Sequence, residues 1–213
     1  MTRPLAILGG TFDPVHLGHL RVAWEAAVQL DAELRLLPAS VPPHRAQPTA
    51  TADQRVALLR AALAGQSRIG LDLRELARTG PSYTIDTLAE LRGEIGALRP
   101  LVLLVGADAW TGLPDWRRWR DLFAFAHVGV LTRGGVRVAE PADLSAEAAS
   151  RRTSDVADIA SAPSGRVIEL AVSALAISAT RIRALLAAGE EPRWLVPDAV
   201  LADASLLAPY RVR

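Results

Sequence analysis

The sequence predicts an α/β protein: a parallel sheet covered by helices on both faces and closed by a C-terminal helical segment. Three observations predict it. Short apolar runs alternate with longer segments of helical period along most of the 213 residues. The short runs are apolar nearly throughout, as strands buried on both faces must be. Residue types that do chemistry stand just after these runs, and ligands of parallel sheets sit beyond the carboxyl ends of the strands.

The elements follow in order. Residues 5–8 (Leu-Ala-Ile-Leu) read as a buried strand stopped by Gly9 and Gly10. After the Pro14 turn, residues 17–30 carry Leu20, Ala23, Trp24, Ala27 and Val28 at helical spacing, with Trp24 expected inside. Residues 34–37 are the second strand, closed by Pro38 and the Pro42-Pro43 loop. A helix over 53–64 takes Asp53 as its cap and Gly65 as its stop. A third strand is expected at 69–73 and a helix over 83–95 capped by Ser82. Residues 101–105 (Leu-Val-Leu-Leu-Val) form the clearest strand, ending at Gly106. A helix near 118–125 leads to a strand at 128–131. Residues 138–164, rich in Ala, Ser and Asp, read as a surface excursion with at most one weak helix. A last strand at 167–172 precedes two helices, 179–188 and about 198–207. One domain is expected over 1–213: an α/β core over 1–176 and C-terminal helices over 177–213.

Composition excludes several chemistries. All 24 basic residues are Arg; the chain has no Lys, Cys or Asn. Without Lys there is no P-loop lysine, no Schiff base and no K-M-S-K-S loop. Without Cys there is no disulfide framework, thiolate zinc site or cysteine nucleophile. The Arg-for-Lys bias, with abundant Ala and Leu, matches a GC-rich coding bias. A formal net charge of +1 gives no basic excess for nucleic acid. No apolar run approaches the ~20 residues of a membrane span, and the start leads straight into a strand pattern. The expectation is a soluble cytoplasmic protein with no membrane or nucleic-acid partner; oligomeric state is not legible.

Two constellations carry chemistry. The first is Gly9-Gly10-Thr11-Phe12-Asp13-Pro14-Val15-His16-Leu17-Gly18-His19, directly after the first strand. Glycines let backbone approach a phosphate, and a helix N-terminus offers free N–H groups to an anion. His16 and His19 at i, i+3 lie on one helix face with Cβ atoms ~5–6 Å apart, and Gly18 leaves room above that turn. The alternative is two ordinary capped or packed imidazoles. The second is Ile177-Ser178-Ala179-Thr180-Arg181-Ile182-Arg183, again after a strand and at a helix start. Its hydroxyls, N–H groups and guanidinium make a polyphosphate cradle, or simply a Ser cap beside a surface Arg.

The pair G-G-T-F-D-P-x-H-x-G-H and I-S-x-T-x-x-R resembles the nucleotidylyltransferase superfamily. Val41-Pro42-Pro43-His44-Arg45, Pro81-Ser82-Tyr83-Thr84 with Thr87-Leu88, Gly106-Ala107-Asp108 and Leu113-Pro114-Asp115-Trp116 narrow the resemblance to bacterial nicotinate-nucleotide adenylyltransferases. It implies a Rossmann-like fold and AMP transfer from ATP to nicotinate mononucleotide, with Mg²⁺ carried by the ATP phosphates and no protein metal site. It implies that His16, His19 and Arg183 act at the phosphates. Gly9, Gly10, Thr11, Phe12, Gly106, Asp108, Arg133, Ile177, Ser178 and Thr180 would bind ATP, with Asp108 on the ribose and Arg133 near adenine. His44, Arg45, Tyr83, Thr84, Trp116 and Arg117 would bind the mononucleotide. Arg117 departs from the family pattern, where a Tyr often follows the tryptophan. Rival readings are an adenylyltransferase for nicotinamide mononucleotide or another phosphate acceptor, and a nucleotide-binding module without catalysis.

Overall fold

A computed structural model describes residues 2–40, 47–133 and 139–211. The chain lays down β1 (Leu5–Gly10), α1 (Leu17–Gln29), β2 (Glu33–Pro38), α2 (Ala52–Ala62), β3 (Ile69–Leu71), α3 (Arg74–Ala77) and α4 (Thr84–Ile95). It continues through β4 (Leu101–Gly106), α5 (Ala107–Thr111), α6 (Leu122–Phe125), β5 (His127–Thr132) and α7 (Ala142–Ala149). β6 (Arg152–Thr153), α8 (Val156–Ser161), β7 (Val167–Ala171), α9 (Ala179–Ala187) and α10 (Asp198–Leu201) complete it. The strands form one sheet in the order β3-β2-β1-β4-β5-β7-β6, every neighbouring pair parallel. The fold class is the expected Rossmann-like α/β.

Side-chain alternation along each strand feeds two cores. Ala6, Leu8, Leu34, Leu36, Val102 and Leu104 pack one face under α1, α2, α8, α9 and α10. Leu5, Ile7, Leu101, Leu103 and Val105 pack the other under α4, α5, α6 and α7. The central strand candidates were apolar at nearly every position because both faces are covered.

Several local expectations are corrected. Thr51, not Asp53, caps α2: its side chain accepts from Gln54 N–H while Gln54 returns the bond to Thr51 N–H. Ser82 does not cap α4, because its hydroxyl accepts from Arg78 Nη1 at 2.7 Å. Residues 142–161 are no excursion. They supply α7, β6 and α8, with Leu144, Ala148 and Ile159 buried and β6 paired to β7 at the sheet edge. The segment expected as a helix over 198–207 is helical only over α10, and the one near 118–125 is a 3-10 turn, Trp119–Asp121, followed by α6. Trp24 is not inside: it is 44% exposed, with the Arg68 guanidinium 5.9 Å from its ring centroid. Ala23, Ala26 and Ala27 form the buried stripe of α1 instead, which lets that helix lie close to the sheet.

β1 and β4 are neighbours whose chains continue to opposite sides, through β2 and β5 respectively. Their carboxyl ends flank the switch point of the sheet. The starts of α1, α5 and α9 follow strand ends and so gather at the same edge. So does the start of α4, which runs back to β4.

Candidate active site at the carboxyl edge of the sheet

Beyond β1 the chain turns sharply through Phe12, whose φ of 51° is left-handed. The Phe12 ring is buried and folds back over Gly10, where a Cβ would lie 2.9 Å from its Cζ. Gly10 is therefore required by Phe12, whereas at Gly9 a Cβ would meet nothing within 4 Å. The same ring meets His19 edge-on, with centroids 5.1 Å apart.

His16 is the N-cap of α1. Its Nδ1 accepts from His19 N–H at 3.3 Å, so the neutral ring carries its proton on Nε2. The two imidazoles stack, with centroids 3.7 Å apart and planes 20° from parallel. Burial holds His16 at about 4; burial and the His16 charge hold His19 at about 3. Both are neutral at pH 7, so each carries one ring N–H and no fixed charge. His19 Nδ1 is buried and has no hydrogen-bond partner among the described residues. A Cβ on Gly18 would lie 3.0 Å from His16 Nδ1, so this glycine makes space for the imidazole above it.

The second constellation arrives from the far side of the sheet. Ser178 caps α9 by accepting from Arg181 N–H at 3.2 Å. Ile177 touches the first turn of α1: its Cβ is 3.6 Å from where a Cβ on Gly18 would stand. Arg183 Nη1 donates to the Asp13 carbonyl at 2.6 Å, and its Nη2 to Thr180 Oγ1 at 3.4 Å. Two motifs about 160 residues apart thus share one surface.

Gly106 ends β4, and Asp108 lies in the first turn of α5 without capping it. The Asp108 side chain is exposed and makes no hydrogen bond or ion pair among the described residues. Arg133 is exposed just past β5. On the opposite face of the sheet, Tyr83 precedes α4, whose N-terminus has no side-chain cap. Arg117 joins this group by lying over the Tyr83 ring, its guanidinium carbon 4.6 Å from the centroid. Tyr83 and Trp116, both half-buried, pack on the same core, and Thr84 opens α4. His44 and Arg45 lie outside the described residues. Among the described residues no group of three or more His, Asp or Glu is placed to hold a metal ion, and no helix is long and apolar enough to cross a membrane.

Sequence reasoning missed a buried polar cluster behind the loop. Asp13 Oδ1 accepts from Ala50 N–H at 3.0 Å and from the Tyr210 hydroxyl at 2.8 Å; Oδ2 accepts from Thr49 N–H at 2.7 Å. Arg55, almost wholly buried, donates to the carbonyls of Thr11, Ala39 and Ser40. Asp13 stood inside a motif and was readable; Arg55 and Tyr210 carry no local signal.

A family profile described as cytidylyltransferase-like matches residues 7–185. A protein of Dechloromonas aromatica named "probable nicotinate-nucleotide adenylyltransferase" is 49% identical over 205 residues, 94% of either chain. One of the same name from Halorhodospira halophila is 51% identical over 200 residues, 93% of this chain and 91% of that one. Among solved structures, Plasmodium falciparum nicotinic acid mononucleotide adenylyltransferase complexed with NaAD superposes with a TM-score of 0.67. It covers 94% of this chain and 96% of its own at 14% identity, a likeness of fold.

Proposed function

The chain belongs to the cytidylyltransferase-like family and, within it, to the nicotinate-nucleotide adenylyltransferases, and from that membership we propose that it transfers AMP from MgATP to nicotinate mononucleotide. The products are nicotinate adenine dinucleotide and pyrophosphate. The observation that carries this reading is the meeting of the two phosphate-type motifs, with Arg183 of α9 bonded to the loop that leads into His16 and His19.

A 5′-phosphate oxygen of the mononucleotide attacks the α-phosphorus of ATP, and the bond to the bridging oxygen of the β-phosphate breaks. That nucleophile is already anionic at pH 7, so no strong base is needed; the protein positions the groups and stabilises charge. His16 and His19 offer neutral N–H donors to the α-phosphate as charge moves through it. Their low pKa values leave room for the bound triphosphate to raise them. Arg183, Thr180 and Ser178 hold the β- and γ-phosphates, which leave together as pyrophosphate. Gly9, Gly10, Thr11, Phe12, Gly106 and Ile177 line the nucleotide path, Asp108 takes the ribose hydroxyls, and Arg133 lies toward adenine. Mg²⁺ enters on the ATP, where it spreads the phosphate charge. Trp116 and Tyr83 offer ring faces for nicotinate, Thr84 a free N–H, and Arg117 a positive charge for its carboxylate; His44 and Arg45 are proposed as further mononucleotide contacts. All of this takes place within one domain spanning 1–213.

The decisive experiment follows pyrophosphate release from MgATP with nicotinate or nicotinamide mononucleotide. The acid is expected to react much faster. Equal rates, or activity with the amide alone, would overturn the acid-specific reading.

A further inference from the structure

The Asp13 carboxylate is buried, and Arg183 stands beside it, with Nη1 3.8 Å from Oδ2. An arginine next to a buried carboxylate normally closes into a bidentate pair at 2.7–2.9 Å. Here it does not. The carboxylate is already occupied by two backbone N–H groups and the Tyr210 hydroxyl, while Arg183 Nη1 bonds to the backbone carbonyl of Asp13 instead. The guanidinium is held at the loop by one nitrogen, and among the described residues its Nη2 hydrogen-bonds only to the Thr180 hydroxyl, at 3.4 Å.

We propose that Tyr210 is a positioning residue for nucleotidyl transfer: its hydroxyl, with Ala50 N–H, holds Asp13 Oδ1 and so fixes the carboxylate, which keeps Oδ2 from turning onto Arg183 and leaves that guanidinium for the phosphates of ATP. The inference rests on the reading of Arg183 as a phosphate ligand. The phenol suits the task chemically. It is a single neutral donor, and burial together with the Asp13 charge pushes its pKa upward, so it stays a donor throughout the physiological range. Its ring is buried in the core under α9 and α10, which fixes where the hydroxyl points. Removing the hydroxyl leaves Oδ1 held by Ala50 N–H alone, which frees the carboxylate to turn toward Arg183, already 3.8 Å from Oδ2.

The test is Tyr210→Phe, which keeps the ring. The KM for MgATP is expected to rise about 10-fold, the scale of one charge-assisted contact redirected. The KM for nicotinate mononucleotide should stay within about twofold of native, since Tyr83, Thr84 and Trp116 lie on the other face of the sheet. A cycle with Arg183→Ala separates positioning from general support: once Arg183 is gone, adding Tyr210→Phe should change the KM for MgATP by less than about twofold. Four results would overturn the proposal: a native KM for MgATP in Tyr210→Phe, an equal rise in the KM of both substrates, the same 10-fold effect with Arg183 absent, or a Tyr210→Phe chain that does not fold. A native KM for MgATP in Arg183→Ala alone would instead sink Arg183 as a phosphate ligand, and a native protein inactive on nicotinate mononucleotide would sink the proposed function.

Discussion

Gly18→Ala should separate stability from activity. Gly18 is the second residue of α1, and alanine there is the better helix former by roughly 0.5–1 kcal/mol. Its Cβ, however, would stand 3.0 Å from Nδ1 and 3.1 Å from Cε1 of His16. That ring has little freedom: it is 6% exposed, stacks on His19 at 3.7 Å and accepts His19 N–H at 3.3 Å. Relief requires the ring to tilt by a few tenths of an ångström, straining a cap bond worth about 1 kcal/mol. The two terms oppose each other, so unfolding free energy in urea should stay within about 1 kcal/mol of native. Turnover should not. A misplacement of ~1 Å in a reacting constellation costs ~10²-fold, so a fraction of that, shared by two stacked imidazoles, predicts a loss of about 10-fold in kcat. The measurements are pyrophosphate release under saturating MgATP and nicotinate mononucleotide, and urea unfolding of the same preparation. Turnover within about twofold of native, at unchanged stability, would refute the argument that this ring must stay where it is.

Two further expectations follow from the same pair. His19→Ala should lower kcat by at least ~10²-fold, the scale of losing one transition-state donor; near-native turnover in steady-state assays would remove His19 from the chemistry. The second concerns acid. His16 at about 4 and His19 at about 3, against 6.5 for a free imidazole, mean that between about pH 6.5 and 4 the unfolded chain binds protons that the folded one refuses. Stability therefore falls as pH drops through that window, by about 2 kcal/mol for each ring at pH 5. Burial lowers His127 in the same direction. Urea titrations at pH 7.5 and 5.0 should show the loss, and a His16→Gln, His19→Gln double variant should keep only the His127 part; an unchanged slope would place the effect elsewhere.

The sheet was legible because covered strands leave nearly continuous apolar runs, unbroken in the central β4 and interrupted only singly in β2 by Arg35 and in β7 by Glu169. The two motifs were legible because glycine, hydroxyl and imidazole stand at fixed steps from strand ends, and the fold brings both to one edge of the sheet. What escaped has physical reasons. The capping box of α2 was written in Thr51 and Gln54, but Asp53 between them is an equally good cap type. Residues 142–161 hold few large apolar side chains, and their helices are decided by the burial of Leu144, Ala148 and Ile159, which composition hides. Trp24 has the spacing of a core residue, yet the sheet packs against alanines beside it. Tyr210 and Asp13 are 197 positions apart, so no local pattern joins them. Their link is tertiary.

The β1–β4 pairing has a consequence for how the molecule comes into being. β2 can join β1 across the single helix α1, but β4 must close a loop of about 90 residues onto it, an entropic cost of about 4 kcal/mol on logarithmic scaling. The chain therefore emerges from synthesis as an N-terminal β1–β3 unit awaiting its other half. Its first strand stays an open edge until residues 101–104 are available. The second motif, residues 177–183, joins that crevice only after β5 and β7 have extended the sheet, so the proposed nucleotide site is the last part of the assembly to be completed.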